Sequence, residues 1–578
     1  MRLYKNLTRY LLAGTAALSL TSCLEESFPT SSVTTEQLQY ADKSGLSSAV
    51  AAYMTTWDYD YYYDIGFAAF NIWRDSMVGD MPIYDATWDY YSYFCTQTYL
   101  GNYQLQTTFW QRYYYLIKKA NIVLDVADRQ EDSVEAGYAG NALAYRAMAY
   151  LDLMRMYEYR LTGVARLDDI ARSRGILGLT VPIVTEVTTE EESRNNPRAP
   201  LATMNRFIMN DLNEAEHLLA NIHSTAKNEA CLGVVYGLKA RLWLEMGSRF
   251  ANDADALSQQ IAAETDDELA AYDKLQIASA RDCFAKAAEY ARKAISEGFT
   301  PTSYDQWYSI SNGFNTPISS WMWCIIISPD DTAASSSTWQ SWVSFICPEA
   351  TWGIATPEYS YGRQIDARLF STVETGDWRR ATWIDPSDAG SQSAYDKTYG
   401  SKTSLTYSEW SKYPGYVSFK FRPAGGERIT SAVGNAVSIP LMRIEEMYLI
   451  EAEAKAWSEG VGAGKAALES FLNSYRYNDG SYTCNAAAIE EFTDEVFRQR
   501  RIELWGEGLL YFDYRRLVKP CITGYPGTNH PVSYRYNSYE GYVAPWTNFY
   551  IPDSEQNFNA DVILNPDPSM AIPTLWKE

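Results

Sequence analysis

The chain has 578 residues, 46% of them hydrophobic, and a formal net charge of -23. That length supplies a sizeable buried core, and so negative a field repels phosphate backbones and argues against nucleic acid as a partner. The eight cysteines form no CxxC pair and the three histidines (His217, His223, His530) no HxxH or HExxH pattern, so a zinc site, a disulfide framework and Ser-His chemistry all lack support.

In chain order, Arg2, Lys5 and Arg9 precede an apolar stretch, Leu11–Leu20, too short to span a bilayer. It runs into Leu20-Thr21-Ser22-Cys23, which resembles a bacterial lipobox. Residues 1–22 therefore read as a lipoprotein signal peptide and Cys23 as the lipidated first residue of the mature chain. Each acyl methylene adds about 0.8 kcal/mol of membrane affinity. The Ser/Thr/Pro-containing run that follows reads as a tether over 23–36, with residues 37–578 as a single body held to the membrane by its lipid anchor alone.

Helical periodicity then dominates. In the segment 109–125, Trp110, Tyr114, Ile117 and Asn121 fall on one helix face, and in 140–158 Arg146, Tyr150, Leu153 and Tyr157 do the same. Ala142, Ala144, Ala147 and Ala149 let the neighbouring helix approach closely. Further helices are predicted over Met204–Ile222, Asn228–Gly247, Cys283–Gly298, Pro440–Gly460 and Lys465–Arg476. Helix pairs that return along a chain read as tetratricopeptide-like stacking. Between them, residues of about 300–440 are rich in Ser, Thr, Gly, Trp and Tyr and contain one predicted strand, Trp321–Ile327, with one face expected to pack. The predicted fold is mainly α: a scaffold of helix pairs carrying a large loop-rich lobe, with little β structure.

Aromatic residues are the compositional outlier, with 46 Tyr and 18 Trp. Those on helix faces (Trp110, Tyr114, Tyr150, Tyr157) are expected to be core. Trp88, Tyr90 and Tyr91 have no helical period, and Tyr304, Trp307, Trp339 and Trp342 lie in the region after the Ala-rich helix Cys283–Gly298. Apolar sugar faces lie flat on Trp and Tyr rings, so an exported, acidic, aromatic-rich chain suggests carbohydrate contact.

Six motifs in order resemble the SusD/RagB family of Bacteroidota outer-membrane lipoproteins. They are W-x3-Y-x2-I-x2-A-N from Trp110, R-A-x2-Y-x2-L-x3-Y from Arg146, the segments Pro197–Leu219 and Ile439–Ala454, the charged Arg498–Leu517, and Ile551–Asn559. Phe419-Lys420-Phe421 also looks like a pair that many members carry, while Tyr550 stands where a Pro often does. The Glu25-Glu26 pair after Cys23 looks like the surface-export signal of such lipoproteins. The resemblance implies four helix pairs and a variable region, with the loop before the Trp110 helix and the region after the Ala-rich helix both contributing to the ligand site; Trp88, Tyr90, Tyr91, Tyr304, Trp307, Trp339 and Trp342 are therefore the candidate ligand-binding residues. It also implies capture of a glycan, or in some members a peptide, and delivery to a TonB-dependent transporter.

A surface glycoside hydrolase is the third reading, since Glu503, Glu507 and Asp513 sit among Arg498, Arg500, Arg501, Arg515 and Arg516. We expect these to be buried ion pairs, with Arg443 and Glu446 paired in the same way, and no catalytic function. No cofactor is expected; a structural Ca²⁺ needs only scattered Asp and Glu, which leave no motif here.

Overall fold

The computed structural model describes residues 42–56, 66–82, 91, 101, 104–130, 133–331, 341–359, 362–570 and 575–577. Cys23, Trp88, Tyr90 and Trp339 lie outside the described residues.

The principal helices are α1 (Lys43–Tyr53), α2 (Ala68–Val78), α3 (Gln104–Val126), α4 (Val134–Tyr157), α5 (Leu201–Leu218), α6 (Leu232–Asn252) and α7 (Ala280–Ile295). After the lobe come α8 (Ile444–Glu459), α9 (Val461–Tyr475), α10 (Ile489–Glu503) and α11 (Leu510–Arg516). From α3 to α8 each of these helices packs on the next, and α8 then packs on α9 and α10. The eight helices α3 to α10 thus make a continuous stack of the kind the repeat pattern implied. The predicted helix at Cys283–Gly298, which had no sequence neighbour, finds its partners in α6 and α8. Among the described residues no helix is long and apolar enough to cross a membrane.

Local chemistry explains the boundaries. The Ser133 side chain accepts from Ala136 N at the start of α4, with Glu135 in the first turn, so a donor is satisfied where the helix dipole favours an acid. Ser279 and Asp282 form a capping box that opens α7, and Gly298, at φ +87°, turns the chain beyond its end.

The motif residues turn out to be clamps. Tyr114 Oη donates to Pro182 O at 2.8 Å, and both Asn121 Nδ2 and Tyr150 Oη donate to Val184 O, at 3.1 and 3.0 Å. Arg146 bridges α4 to α5 through Asp211 at 2.8 Å and also pairs with Glu186. Trp110 Nε1 donates to Glu555 of the C-terminal motif at 2.9 Å, and Asn559 exchanges two hydrogen bonds with the Asn196 backbone. Trp110, Tyr150 and Tyr157 are buried, as their helical spacing predicted. Satisfying these buried polar groups with main-chain partners ties the connections to the stack.

The lobe, residues 296–443, sits between α7 and α8. Its first strand, β1 (Trp321–Ile326), pairs antiparallel with β2 (Ser438–Arg443), from Trp321 opposite Arg443 to Ile326 opposite Ser438. This two-stranded sheet joins the two ends of the lobe. The helix predicted from Pro440 therefore begins only at Ile444, and Pro440–Arg443 is strand. Proline favours the first turn of a helix, but it is equally tolerated in a strand that lacks a neighbour on one side, and only the pairing with β1 distinguishes the two. Both faces of β1 are packed rather than one: Trp321 to Ile325 are all buried, and Trp323 lies 4.4 Å from the Tyr145 ring of α4.

Candidate functional site

The charged motif resolves into a closed knot of buried ions. The segment Arg498–Leu517 is broken between α10 and α11 at Gly506 and Gly508, both with positive φ. Glu503, the last residue of α10, accepts from Arg379 Nη1 at 2.8 Å, Arg443 Nη1 at 3.1 Å, Arg476 Nε at 2.8 Å and Arg476 Nη2 at 2.9 Å. Glu507 takes Lys420 Nζ at 2.6 Å and Arg443 Nε at 2.9 Å. Arg379 also holds Asp377, and Arg443 and Arg476 hold Glu445. Four cations thus face four anions. Burial alone would raise the pKa of Glu503, but Arg476 and Arg443 outweigh it and hold that carboxyl well below the usual range. For Lys420 burial wins, pulling it down to about 8 against the pull of Glu507.

A second knot joins Arg500 and Arg516 to Asp513, with Arg516 also on Glu453. The expectation of buried ion pairs holds for Glu503, Glu507 and Asp513. Arg443 and Glu446, however, are not partners: Arg443 belongs to the Glu503 knot, while Glu446 takes Arg241 at 2.6 Å.

These contacts speak against acid catalysis at the motif. A glycosidase needs one carboxyl kept protonated and a second facing it across room for a sugar. Glu503, Glu507 and Asp513 are all depressed by neighbouring cations. Among the acids pushed up by burial, Glu245 lines a space of only about 10 Å³, one water at most. Glu555 is occupied by Trp110. Among the described residues no group of three His, Cys, Asp or Glu is arranged to hold a metal ion.

The seven aromatic candidates separate into three groups. Trp88, Tyr90 and Trp339 lie outside the described residues. Tyr91, Trp307 and Trp342 are core, which corrects their reading as ligand contacts. Tyr91 packs between Trp73 at 5.6 Å and Phe345 at 4.8 Å, with the Arg363 guanidinium 5.7 Å over its ring. Trp307 donates to Thr382 Oγ1 at 3.0 Å and caps the ion knot, with Arg476, Lys420 and Arg443 all within 6 Å of its ring centre. Trp342 packs edge-on against Phe421 at 4.9 Å. A ring without helical period can serve either a loop surface or a core filled by loops, and the sequence pattern does not separate them.

Tyr304 is different. It opens the short helix Tyr304–Trp307, and its ring leans on Tyr308 and Trp378 while remaining 39% exposed.

The described frame also brings distant parts of the sequence together. Thr55 Oγ1 donates to Asp331 at 3.3 Å, the helix Trp342–Ile346 packs on α2, and Tyr91 touches Phe345. Residues more than 200 positions apart in sequence thus meet at these three contacts.

Elsewhere on the lobe a cleft of about 150 Å³ is lined by Pro348, Glu349, Thr351, Glu409, Tyr413 and Arg428. Arg428 hydrogen-bonds Glu409 and holds its carboxyl at about 2. Glu349 is kept ionised by Arg422 against its burial. None of these residues had a sequence signal, since they come from separate loops.

Residues 306–573 match the family model described as "SusD family", and residues 44–244 match one described as "Starch-binding associating with outer membrane". No curated protein matches the chain. Among solved structures, a SusD-like carbohydrate binding protein from Bacteroides vulgatus superposes with a TM-score of 0.64 at 20% identity, covering 90% of this chain and 96% of its own. A SusD superfamily protein from Bacteroides thetaiotaomicron gives 0.59 at 16%, covering 91% and 100%. A laminarin binding SusD-like protein gives 0.58 at 15%, covering 91% and 98%. At these identities the superpositions speak for the fold.

Proposed function

The chain belongs to the SusD/RagB family, and on that footing we propose that it is a non-catalytic, cell-surface glycan-binding lipoprotein. It is anchored in the outer membrane through Cys23, faces the exterior, captures an oligo- or polysaccharide and delivers it to a TonB-dependent transporter. The observation that carries this reading is the match of residues 306–573 and 44–244 to the two family models, together with a fold shared over nine-tenths of the chain with a SusD-like carbohydrate binding protein. Trp and Tyr rings offer flat apolar faces to successive sugars. Stacking of a base on a ring contributes about 1–3 kcal/mol; taken as a ceiling for sugars, a few rings give micromolar to millimolar affinity, suited to a carrier that must release its cargo. Tyr304 remains a candidate for an outlying contact.

The test is a panel of polysaccharides and oligosaccharides titrated into the purified protein and its Trp88→Ala variant. Saturable binding of a glycan that the variant loses is the expected result. Binding of nothing on the panel, with no effect of Trp88→Ala, would end the glycan reading, and a co-purifying peptide would then identify peptide cargo. Release of sugar by the pure protein would instead make it a hydrolase.

A further inference from the structure

A separate cleft of about 230 Å³ lies where residues 541–543 cross the chain that leaves α4 and the C-terminal end of α6. Arg160 lines it, and the backbone there is fixed. Its N–H donates to Asn548 Oδ1 at 3.0 Å and its carbonyl accepts from Asn548 Nδ2 at 2.8 Å. The side chain is only 8% exposed. Yet among the described residues its guanidinium makes no hydrogen bond, and its one ionic contact is Glu158 at 3.9 Å.

One oxygen of that carboxylate is already taken, and the other, Oε2, stays 3.9 Å from Arg160. Glu158 takes Arg249 Nη2 at 3.0 Å, and Arg249 Nη1 holds Asp253 at 2.6 Å. A buried guanidinium has five donors to satisfy, and buried polar groups are ordinarily bonded. Arg198 meets that rule, with five hydrogen bonds to main-chain carbonyls and Asn565. Arg160 does not. Burial and the nearby Arg249 lower its pKa to about 10, with Glu158 and Glu245 only partly opposing them. An anion with two acceptor atoms in the cleft would supply the hydrogen bonds that Glu158, at 3.9 Å, does not.

The rest of the cleft fits an organic anion rather than a bare ion. Leu161, Val518 and Val543 line it with apolar surface. Tyr542 and Leu177 stand at its rim, 40% and 43% exposed. The Tyr542 ring rests against Gly163, where a Cβ would come within 2.9 Å of it.

We propose that this cleft binds a carboxylate-bearing ligand, its carboxylate taken in the bidentate manner by the Arg160 guanidinium and its carbon skeleton laid against Tyr542. Planar two-point recognition of a carboxylate is what the guanidinium fork provides and an ammonium does not. The proposal stands apart from the glycan reading, because a uronic acid residue and a peptide C-terminus present the same group.

The test is calorimetric titration of the purified protein with D-galacturonate, D-glucuronate, the dipeptide Ala-Ala and neutral D-galactose. At least one of the three acids is expected to saturate a single site, and galactose is not. Which acid binds identifies the source. Arg160→Gln should weaken that acid at least about tenfold, about 1.4 kcal/mol, without lowering the melting temperature, since the side chain gives up no hydrogen bond. Arg160→Lys, which keeps the charge and loses the fork, should fall between the two. Tyr542→Ala, a rim change, reads the same site if Arg160→Gln does not fold, and should weaken binding several-fold. Equal binding of galactose and the acids, undiminished binding by Arg160→Gln, or failure of every acid to saturate would overturn the proposal.

Discussion

Replacing Glu503 by Gln probes the ion knot that joins the lobe to the stack. The carboxylate is 0% exposed and accepts four hydrogen bonds, two on each oxygen, from Arg379, Arg443 and Arg476. Its charge is one of four that balance Lys420, Arg379, Arg443 and Arg476. An amide has the same shape, but whichever way it turns, its NH₂ faces two guanidinium donors. Two charge-assisted bonds are lost at about 1.5–3 kcal/mol each, and one buried positive charge is left uncompensated. Breaking a buried pair from one side costs about 3–5 kcal/mol, so the two routes agree on about 4 kcal/mol. Spread over the unfolding entropy of so long a chain, this lowers the melting temperature by about 3–4 °C. Urea titration followed by tryptophan fluorescence measures the loss. Asp169→Asn, which breaks a pair 74% exposed on the Asp side, is the control and should shift nothing measurable. If Glu503→Gln matched that control, the knot would not be a structural fastening.

Three further outcomes are expected. Because Glu503, Glu507 and Asp513 titrate below their ordinary range, their stabilisation is complete above the unfolded carboxylate value of about 4 and is lost as pH falls through the depressed values. Melting temperature should therefore drop below about pH 4, against the opposite contribution of Asp75, which burial and Asp80 raise; a steady rise on acidification from neutrality would contradict this. Gly508→Ala should cost about 2 kcal/mol or more, since φ is +71° and the new Cβ would meet Asn71 Cα at 2.5 Å. Gly462→Ala, in α9 with open space around it, should gain up to about 1 kcal/mol, and parallel urea midpoints decide both. The Cys283, Cys324 and Cys347 thiols, pushed up to about 12 by burial, should resist a thiol reagent at pH 8 in the folded protein and react once it is unfolded, whereas rapid labelling of the native chain would show that they are accessible.

How much of this was legible in the sequence depends on the range of the interaction. Helix existence and the buried faces of α3 and α4 follow from the spacing of Trp110, Ile117, Arg146 and Tyr150, because helical period is a local property. The ion pairing of Glu503, Glu507 and Asp513 was readable as a tendency, since so many opposite charges in one short motif must find one another. Their partners were not: Arg379, Lys420 and Arg476 are brought in from the lobe and from α9. The same limit explains Pro440–Arg443, whose strand exists only because β1 lies beside it, and the pairing of α7 with α8 across the whole lobe.

By itself, then, the sequence determined a mainly α scaffold of paired helices and a charged, ion-paired character for the C-terminal motif. Only tertiary structure decided which non-periodic rings are core. Trp307 and Trp342 carry the same local pattern as Tyr304, yet the first covers an ion knot and the second packs on Phe421, while Tyr304 keeps a face in water. Only tertiary structure, too, left the Arg160 side chain in a cleft with Glu158 at 3.9 Å as its one ionic contact among the described residues. Burial is set by what the rest of the chain lays over a residue, and no local spacing encodes that.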